Sequence, residues 1–454
     1  MTYLKNILTS LWLKTLIFKI ITLKIFLPIV AKYVKKSLLF ECLDNKHSDS
    51  FGVLVLHDQR WTLDLNVLKR SPKLKLISLP ATKQLWLNTL FLSPVAELIR
   101  DDLSLRHQPE TNPKVLKYKN KLIRYLADFI KYFAEECGFK CIVTCNFRYT
   151  NDIEWAKASR LAGIPFVALH KECLRDKFNE QFQRDFYKDR KFKFYGNKLV
   201  VYNETEKKLI VEANICEEKN VIVAGCLRID DIIKECNYVN NSKKVVCLFS
   251  FRHVVAGFVI KNKTGFGDHE GEGLIEVFAQ THEAIAELAI EYPDIVFIIK
   301  PKWLSDWEEK IREVIRNGVG REIEDIKNLI LTVDIDAQIL IKKSSVVIGV
   351  NSTTLLESRI LQRPTIIPMF GEAGGKYKNK IYFQKYSGSE FIFPTSKEEF
   401  KKQIILAVRS ENQRPPSHEL IDEYLGFHDG KTLERIVSIL ETEVNMASTE
   451  LIAS

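Results

Sequence analysis

At 454 residues, with 46% hydrophobic and 28% charged residues, 19 glycines and 14 prolines, the chain has an ordinary globular composition and enough length for two sizeable cores. Those proportions exclude a disulfide-stapled miniprotein, a fibrous or collagen-like chain and an extensively disordered one. The net charge of +9 is concentrated in the first forty residues, which hold seven lysines and no acid; subtracting those seven leaves +2, which argues for one basic arm and against a nucleic-acid binder.

The arm is read over residues 1–48. Residues 4–34 are rich in Leu, Ile, Phe and Trp, yet lysines interrupt every run before it reaches the ~18 uncharged residues that suggest a spanning helix. On a helix Lys14, Lys24, Lys32, Lys35 and Lys36 share one broad side, Lys5 and Lys19 stray from it, and Pro28 predicts a kink. The pattern predicts an amphipathic helix in the interface of an anionic membrane, contacted through residues 1–40, with Trp12, Phe18 and Phe26 in the acyl boundary. The competing reading is a helix packed on the protein's own core. Nine cysteines include no CxxC pair or zinc-spaced Cys/His cluster, and Cys137, Cys141 and Cys145 run from a helix end into a strand, where their thiols point apart. With no signal-peptide cleavage pattern, these read as buried reduced thiols in a cytoplasmic protein peripheral to the cytoplasmic face of the inner membrane.

From Phe51 onward short β-branched runs alternate with amphipathic stretches, the pattern of a parallel sheet with crossover helices. Strands are predicted at 51–57, 74–79, 141–146, 165–170, 199–203 and 221–225, with helices at 119–136, 152–162 and 204–214. A second series follows, with strands at 244–251, 295–300, 328–333, 346–350 and 364–369 and helices at 273–292, 305–317, 335–343, 353–361 and 396–409. The fold class predicted is α/β, with two Rossmann-like domains, 49–236 and 245–410, facing across a cleft. The polar stretch 237–244 is the linker, and 411–454 forms a closing helix and tail.

The segment VVIGVNSTTLLESRILQRP at 346–364 is the most informative. An apolar strand ends at Asn351, and Ser352, Thr353 and Thr354 open a helix, so hydroxyls and backbone N–H groups converge at a positive helix terminus that suits phosphate. Glu357, one turn on, is placed to accept ribose or sugar hydroxyls, or to favour the helix dipole. Ordinary N-capping is the plain reading of the same residues. Lys300 and Lys302 follow a second strand, and Ser250, Arg252 and His253 a third; a glycine-rich stretch, 265–273, then permits a mobile loop. In the first half, PFVALHKE ends a strand with His170 and Glu172, a carboxylate with a histidine beside it, suited to take a proton from an attacking hydroxyl. Glu172 is the first choice of base, ahead of His170, Asp268 and Glu270. Arg148 is the candidate grip on an anionic acceptor, with Asn151 or Asp152 capping the next helix. Arg228 and Asp230 are read as an ion pair at the hinge. Asp334 and Asp336 are read as a helix-start cap, not a metal motif.

These pieces, over roughly residues 140–440, resemble bacterial surface-polysaccharide biosynthesis proteins, of capsule and lipopolysaccharide, with the two-Rossmann glycosyltransferase architecture called GT-B. The residues carrying the likeness are LHKE at 169–172, GxxRxD at 225–230, the Lys-Pro turn at 300–301, NSTT at 351–354 with Glu357, and RPTI at 363–366. Among such proteins the chain is similar to capsule Kdo transferases and CDP-glycerol glycerophosphotransferases, in which the Lys-Pro turn commonly continues as a His-Pro pair; here Lys302 and Trp303 stand there.

The resemblance implies a metal-independent transferase that takes a nucleotide-activated sugar as substrate and needs no cofactor. Its donor would lie mainly on the second domain and its acceptor, a growing surface polysaccharide or lipid-linked glycan, on the first. Polyol-phosphate transfer and sugar-nucleotide epimerisation on the same scaffold are the rival chemistries. A non-catalytic scaffold of a glycan assembly complex is the non-enzymatic reading, and the missing His-Pro pair is its argument.

Overall fold

The computed structural model describes residues 24–41, 50–175, 180–234, 244–254, 272–303, 306–410, 414–427 and 429–453. The chain forms two compact units, one of residues 1–173, 184–230 and 425–454, the other of 174–183 and 231–424. The C-terminal helix, Thr432–Ala453, thus belongs with the first unit, where Ile436, Val437, Leu440 and Val444 enter the core. Asp230 does not pair with Arg228 as expected. Its Oδ2 accepts the Leu433 N–H at 2.9 Å, capping that returning helix, while Arg228 turns to Asp64 at 3.8 Å.

The first unit is built on seven strands: β1 (Leu39–Glu41), β2 (Phe51–Leu56), β3 (Leu74–Leu79), β4 (Phe139–Thr144), β5 (Phe166–Leu169), β6 (Lys198–Val201) and β7 (Val221–Val223). They lie in the order β1-β3-β2-β4-β5-β6-β7, all parallel except β1, which runs antiparallel to β3 at the edge. Period-two alternation explains why β2 is apolar throughout. Leu54 and Leu56 enter a core beneath the helix Pro113–Cys137, whereas Val53 and Val55 enter the opposite core beneath the C-terminal helix.

The described part of the basic arm packs on this unit. Helix Leu27–Lys35 buries Leu27, Val30, Ala31 and Val34, a stripe at helical spacing, in the same core as Leu122, Leu126 and Phe129 of Pro113–Cys137. For this stretch the own-core reading therefore holds over the interfacial one. Lys24 pairs with Asp128 at 2.6 Å, and Lys35 donates to the Glu136 carbonyl at 2.6 Å. Pro28 lies in the first turn, where its missing N–H costs no helical hydrogen bond, so it starts this helix instead of kinking it. Trp12 and Phe18 lie outside the described residues, and among the described residues no helix is long and apolar enough to cross a membrane.

The second unit has five parallel strands: β8 (Val245–Phe249), β9 (Val296–Lys300), β10 (Leu329–Leu331), β11 (Val346–Ile348) and β12 (Thr365–Ile366). Their order is β10-β9-β8-β11-β12, with Val346 beside Val246 and Val245 beside Val296. The helices Ile275–Glu291, Asp306–Val319, Ala337–Lys343, Thr353–Ile360 and Lys397–Arg409 fall on the predicted stretches. Asp336, the only one of the two predicted aspartates whose side chain caps, accepts from the N–H groups of Gln338 and Ile339. Of the expected linker 237–244, only Lys244 is described.

Candidate functional site

In the second unit the chain winds outward from β8 in both directions, first through β9 and β10, then through β11 and β12. A crevice opens outside the carboxyl ends of a parallel sheet where this winding reverses, here between β8 and β11. The turn after β11 is built for close approach. A Cβ on Gly349 would meet the Leu355 side chain at 3.2 Å and the Phe249 carbonyl at 3.4 Å. Asn351 follows with φ 49°, a left-handed conformation rare for residues other than glycine. Its side chain holds it there, donating to the Lys380 carbonyl at 2.7 Å and accepting from the Tyr382 N–H at 2.9 Å.

Ser352 is the extended N-cap of Thr353–Ile360, and its Oγ accepts the Thr354 N–H at 3.3 Å and shares a 2.8 Å bond with Thr354 Oγ. Ser352, Thr353 and Thr354 are half-buried, so the three hydroxyls stand at the positive end of a helix beside the switch point. Glu357 lies deeper, only 2% exposed. Another helix start in the same unit is already filled by an anion: Glu372 accepts from the Glu276 and Val277 N–H groups at 2.8 and 3.0 Å, closing the first turn of Ile275–Glu291.

The neighbouring strand ends are spent on structure. Ser250, expected at the donor site, donates to His282 Nε2 at 2.9 Å and accepts from Trp307 Nε1 at 2.9 Å. His282 Nδ1 in turn donates to the Phe278 carbonyl at 2.6 Å, and burial pushes its pKa down to about 4, so Nε2 is free to accept. Arg252 binds Asp306 at 2.7 Å. Together these contacts tie the start of Asp306–Val319 to the end of β8. Lys300 leans the other way, donating to the Val333 carbonyl at 2.7 Å beyond β10, and burial lowers its pKa. Its half-buried stem and that carbonyl acceptor draw it away from β11. Lys302 is exposed, its Nζ 5.7 Å from the Trp303 ring centre. Asp268 and Glu270 lie outside the described residues.

The first unit reverses its winding between β2 and β4. Arg148 follows β4, where its N–H donates to Asn146 Oδ1 at 2.9 Å and its guanidinium lies 3.6 Å from Glu172. Sequence had set His170 beside Glu172 at a strand end, as a candidate base. The structure buries it completely, 3.4 Å from Glu206 and edge-on at 4.6 Å to Phe147, which packs in turn against Tyr187 and Phe192. Asp152 does not cap its helix either. Its Oδ1 meets His57 Nε2 and Gln84 Nε2, each at 2.7 Å, and its Oδ2 accepts from Thr144 Oγ at 2.7 Å; three buried donors outbid the helix N–H groups. His57, Gln84 and Thr144 had drawn no attention in the sequence. A histidine directly after an apolar strand, LVLH, was the available signal.

Among the described residues, no group of three or more His, Cys, Asp or Glu is arranged to hold a metal ion. The seven described cysteines are free thiols, Cys141, Cys145, Cys173, Cys226 and Cys247 being buried.

No protein-family model matches the chain, and no curated protein matches its sequence. Among solved structures it is similar to a UDP-GlcNAc 2-epimerase from Neisseria meningitidis, with a TM-score of 0.46 at 13% identity, over 87% of this chain and all (100%) of that one. It is similar to S. aureus MnaA with UDP, with a TM-score of 0.48 at 15% identity, over 87% of this chain and 97% of that one. It is also similar to the wall teichoic acid polymerase TagF, with a TM-score of 0.40 at 13% identity, over 70% of this chain and 76% of that one. At such scores and identities these likenesses assign no activity or substrate to this chain.

Proposed function

We propose that the chain is a GT-B-type glycosyltransferase that moves a sugar from a nucleotide-activated donor to a surface-polysaccharide or lipid-linked acceptor without a metal ion. One observation carries this reading: the sheet order β10-β9-β8-β11-β12 puts the Ser352-Thr353-Thr354 helix start at the switch point of the second unit. A diphosphate there would accept hydrogen bonds from hydroxyls and backbone N–H groups while the helix terminus stabilises the charge that develops as it leaves. Arg148 and Glu172 are the acceptor-side groups of the first unit, and Lys302 is the exposed cation near the donor strands. Ser250, Arg252 and Lys300 support the donor site by fixing the loops around it. The basic, apolar sequence of residues 1–23 carries the peripheral membrane contact in this reading.

Calorimetry with UDP, CDP, GDP and CMP tests the reading. Binding of one nucleotide by the wild type, lost at least tenfold when Ser352, Thr353 and Thr354 are all replaced by alanine in a folded protein, supports it. Undiminished binding by the triple variant, or no binding by the wild type, refutes it. The engagement of Ser250, Arg252 and Lys300 in internal contacts is what favours the second reading, a non-catalytic scaffold, for which no nucleotide need bind.

A further inference from the structure

We infer that the first unit holds one buried water molecule, bound by Asp64, Tyr202 and Arg228 where the returning C-terminal helix closes over the sheet. The site stands independently of the transferase reading. Asp64 lies in the first turn of the helix Thr62–Leu68 and Tyr202 directly after β6, and they are only 4% and 5% exposed. Both line a cavity of about 20 Å³, whose walls also include Trp61, Gly225, Leu227 and, from the C-terminal helix, Ile436. That is too little for a sugar or a nucleotide, whereas a space of about 10–15 Å³ already admits one water. A purely apolar cavity stays dry, so the polar lining decides the occupant. Asp64 Oδ2 and the Tyr202 hydroxyl are sealed from solvent with no hydrogen-bond partner among the described residues. Trp61 supplies none, because its indole N–H already donates to the Leu56 carbonyl at 3.1 Å.

The donors and acceptors match. Burial pushes the Asp64 carboxyl up from its ordinary value, the sign of a carboxylate short of solvation. Burial also raises the Tyr202 hydroxyl well above its ordinary value, so the tyrosine keeps its proton through the neutral range and can donate it. The Arg228 guanidinium lies 3.8 Å from Asp64 Oδ2, beyond direct hydrogen-bond reach, a separation that a bridging water closes. A water there accepts from the Tyr202 hydroxyl and from Arg228 Nη1 and donates to Asp64 Oδ2, about the three bonds that buried waters usually make. Without it, the carboxylate oxygen and the hydroxyl would each forfeit the hydrogen bond they make to solvent in the unfolded chain. All three residues belong to the first unit. The bridge ties the helix that follows β2 to the chain leaving β6 and β7, strands that are not adjacent to β2 in the sheet.

Two measurements test the site. A high-resolution crystal structure of the full-length protein should show one ordered water within about 2.6–3.2 Å of both Asp64 Oδ2 and the Tyr202 hydroxyl oxygen. No density at that position, or a direct bond between Tyr202 and Asp64, overturns the inference. In solution, oxygen-17 relaxation dispersion of the full-length protein counts long-lived internal waters. The paired replacement Asp64→Leu with Tyr202→Phe removes two of the anchors and fills the space with apolar atoms, so the count should fall by one relative to wild type. An unchanged count in a folded double variant overturns the site. Should the double variant fail to fold, the wild-type density decides alone.

Discussion

His57 and Asp152 lie 95 residues apart in the chain and 2.7 Å apart in space, joined side chain to side chain inside the first unit. Two strand ends and a helix start converge to make that contact, so residues distant in the chain close one buried polar cluster with Gln84 and Thr144.

Replacing Ser352 alone by alanine removes the cap on Thr353–Ile360 and should cost about 1 kcal/mol of stability in urea unfolding. Nucleotide affinity should fall by a larger factor than so small a stability change accounts for. A loss of stability with unaltered affinity would mean that Ser352 is a cap and nothing more.

Lys119 and Glu154 form a buried pair at 2.7 Å, with Lys119 also donating to the Arg106 carbonyl at 2.7 Å. Glu154→Ala leaves an uncompensated ammonium in the core and should cost about 3–5 kcal/mol. The double replacement by methionine and leucine should recover most of that loss, and chemical denaturation of the three proteins side by side checks both statements.

Gly426 sits at φ 81°, and a Cβ built on it would stand 1.8 Å from the Tyr202 carbonyl oxygen. Gly426→Ala should therefore destabilise the first unit by more than about 2 kcal/mol by lifting the returning chain from β6. Limited proteolysis should then release the C-terminal helix; an unchanged cleavage pattern would count against this contact as the anchor.

His282, ordinarily near 6.5, is held down at about 4 by burial. Because the folded protein resists a proton that the unfolded chain accepts, stability is fully present above about 6.5 and is lost as pH falls towards 4. The loss from this group amounts to about 3 kcal/mol at the acid end. Urea midpoints between pH 7 and 4.5 should show the decline, and His282→Gln should flatten it.

Removing residues 1–23 should abolish co-sedimentation with anionic vesicles and leave the melting temperature unchanged, whereas removal through Lys36 should lower it. The second deletion strips Val30, Ala31 and Val34 from the core. Vesicle binding that survives the shorter deletion would locate the membrane contact elsewhere.

Sequence by itself determined the alternation of strands and helices, because period-two and 3.6-residue patterns are local and the apolar runs β2, β4, β8 and β11 leave little choice of partner state. It also placed the Ser352 helix start, since capping chemistry is written in adjacent residues. Only the tertiary structure decided which polar groups meet: that His170 is sealed in the core, that Lys300 turns to Val333, that Asp230 caps the returning helix and that Asp152 receives His57, Gln84 and Thr144. The reason is physical. Hydrophobic periodicity is summed over neighbours along the chain, whereas a buried polar atom takes whichever partner the packing of distant segments delivers, and strand order, which no local pattern encodes, decides which segments those are.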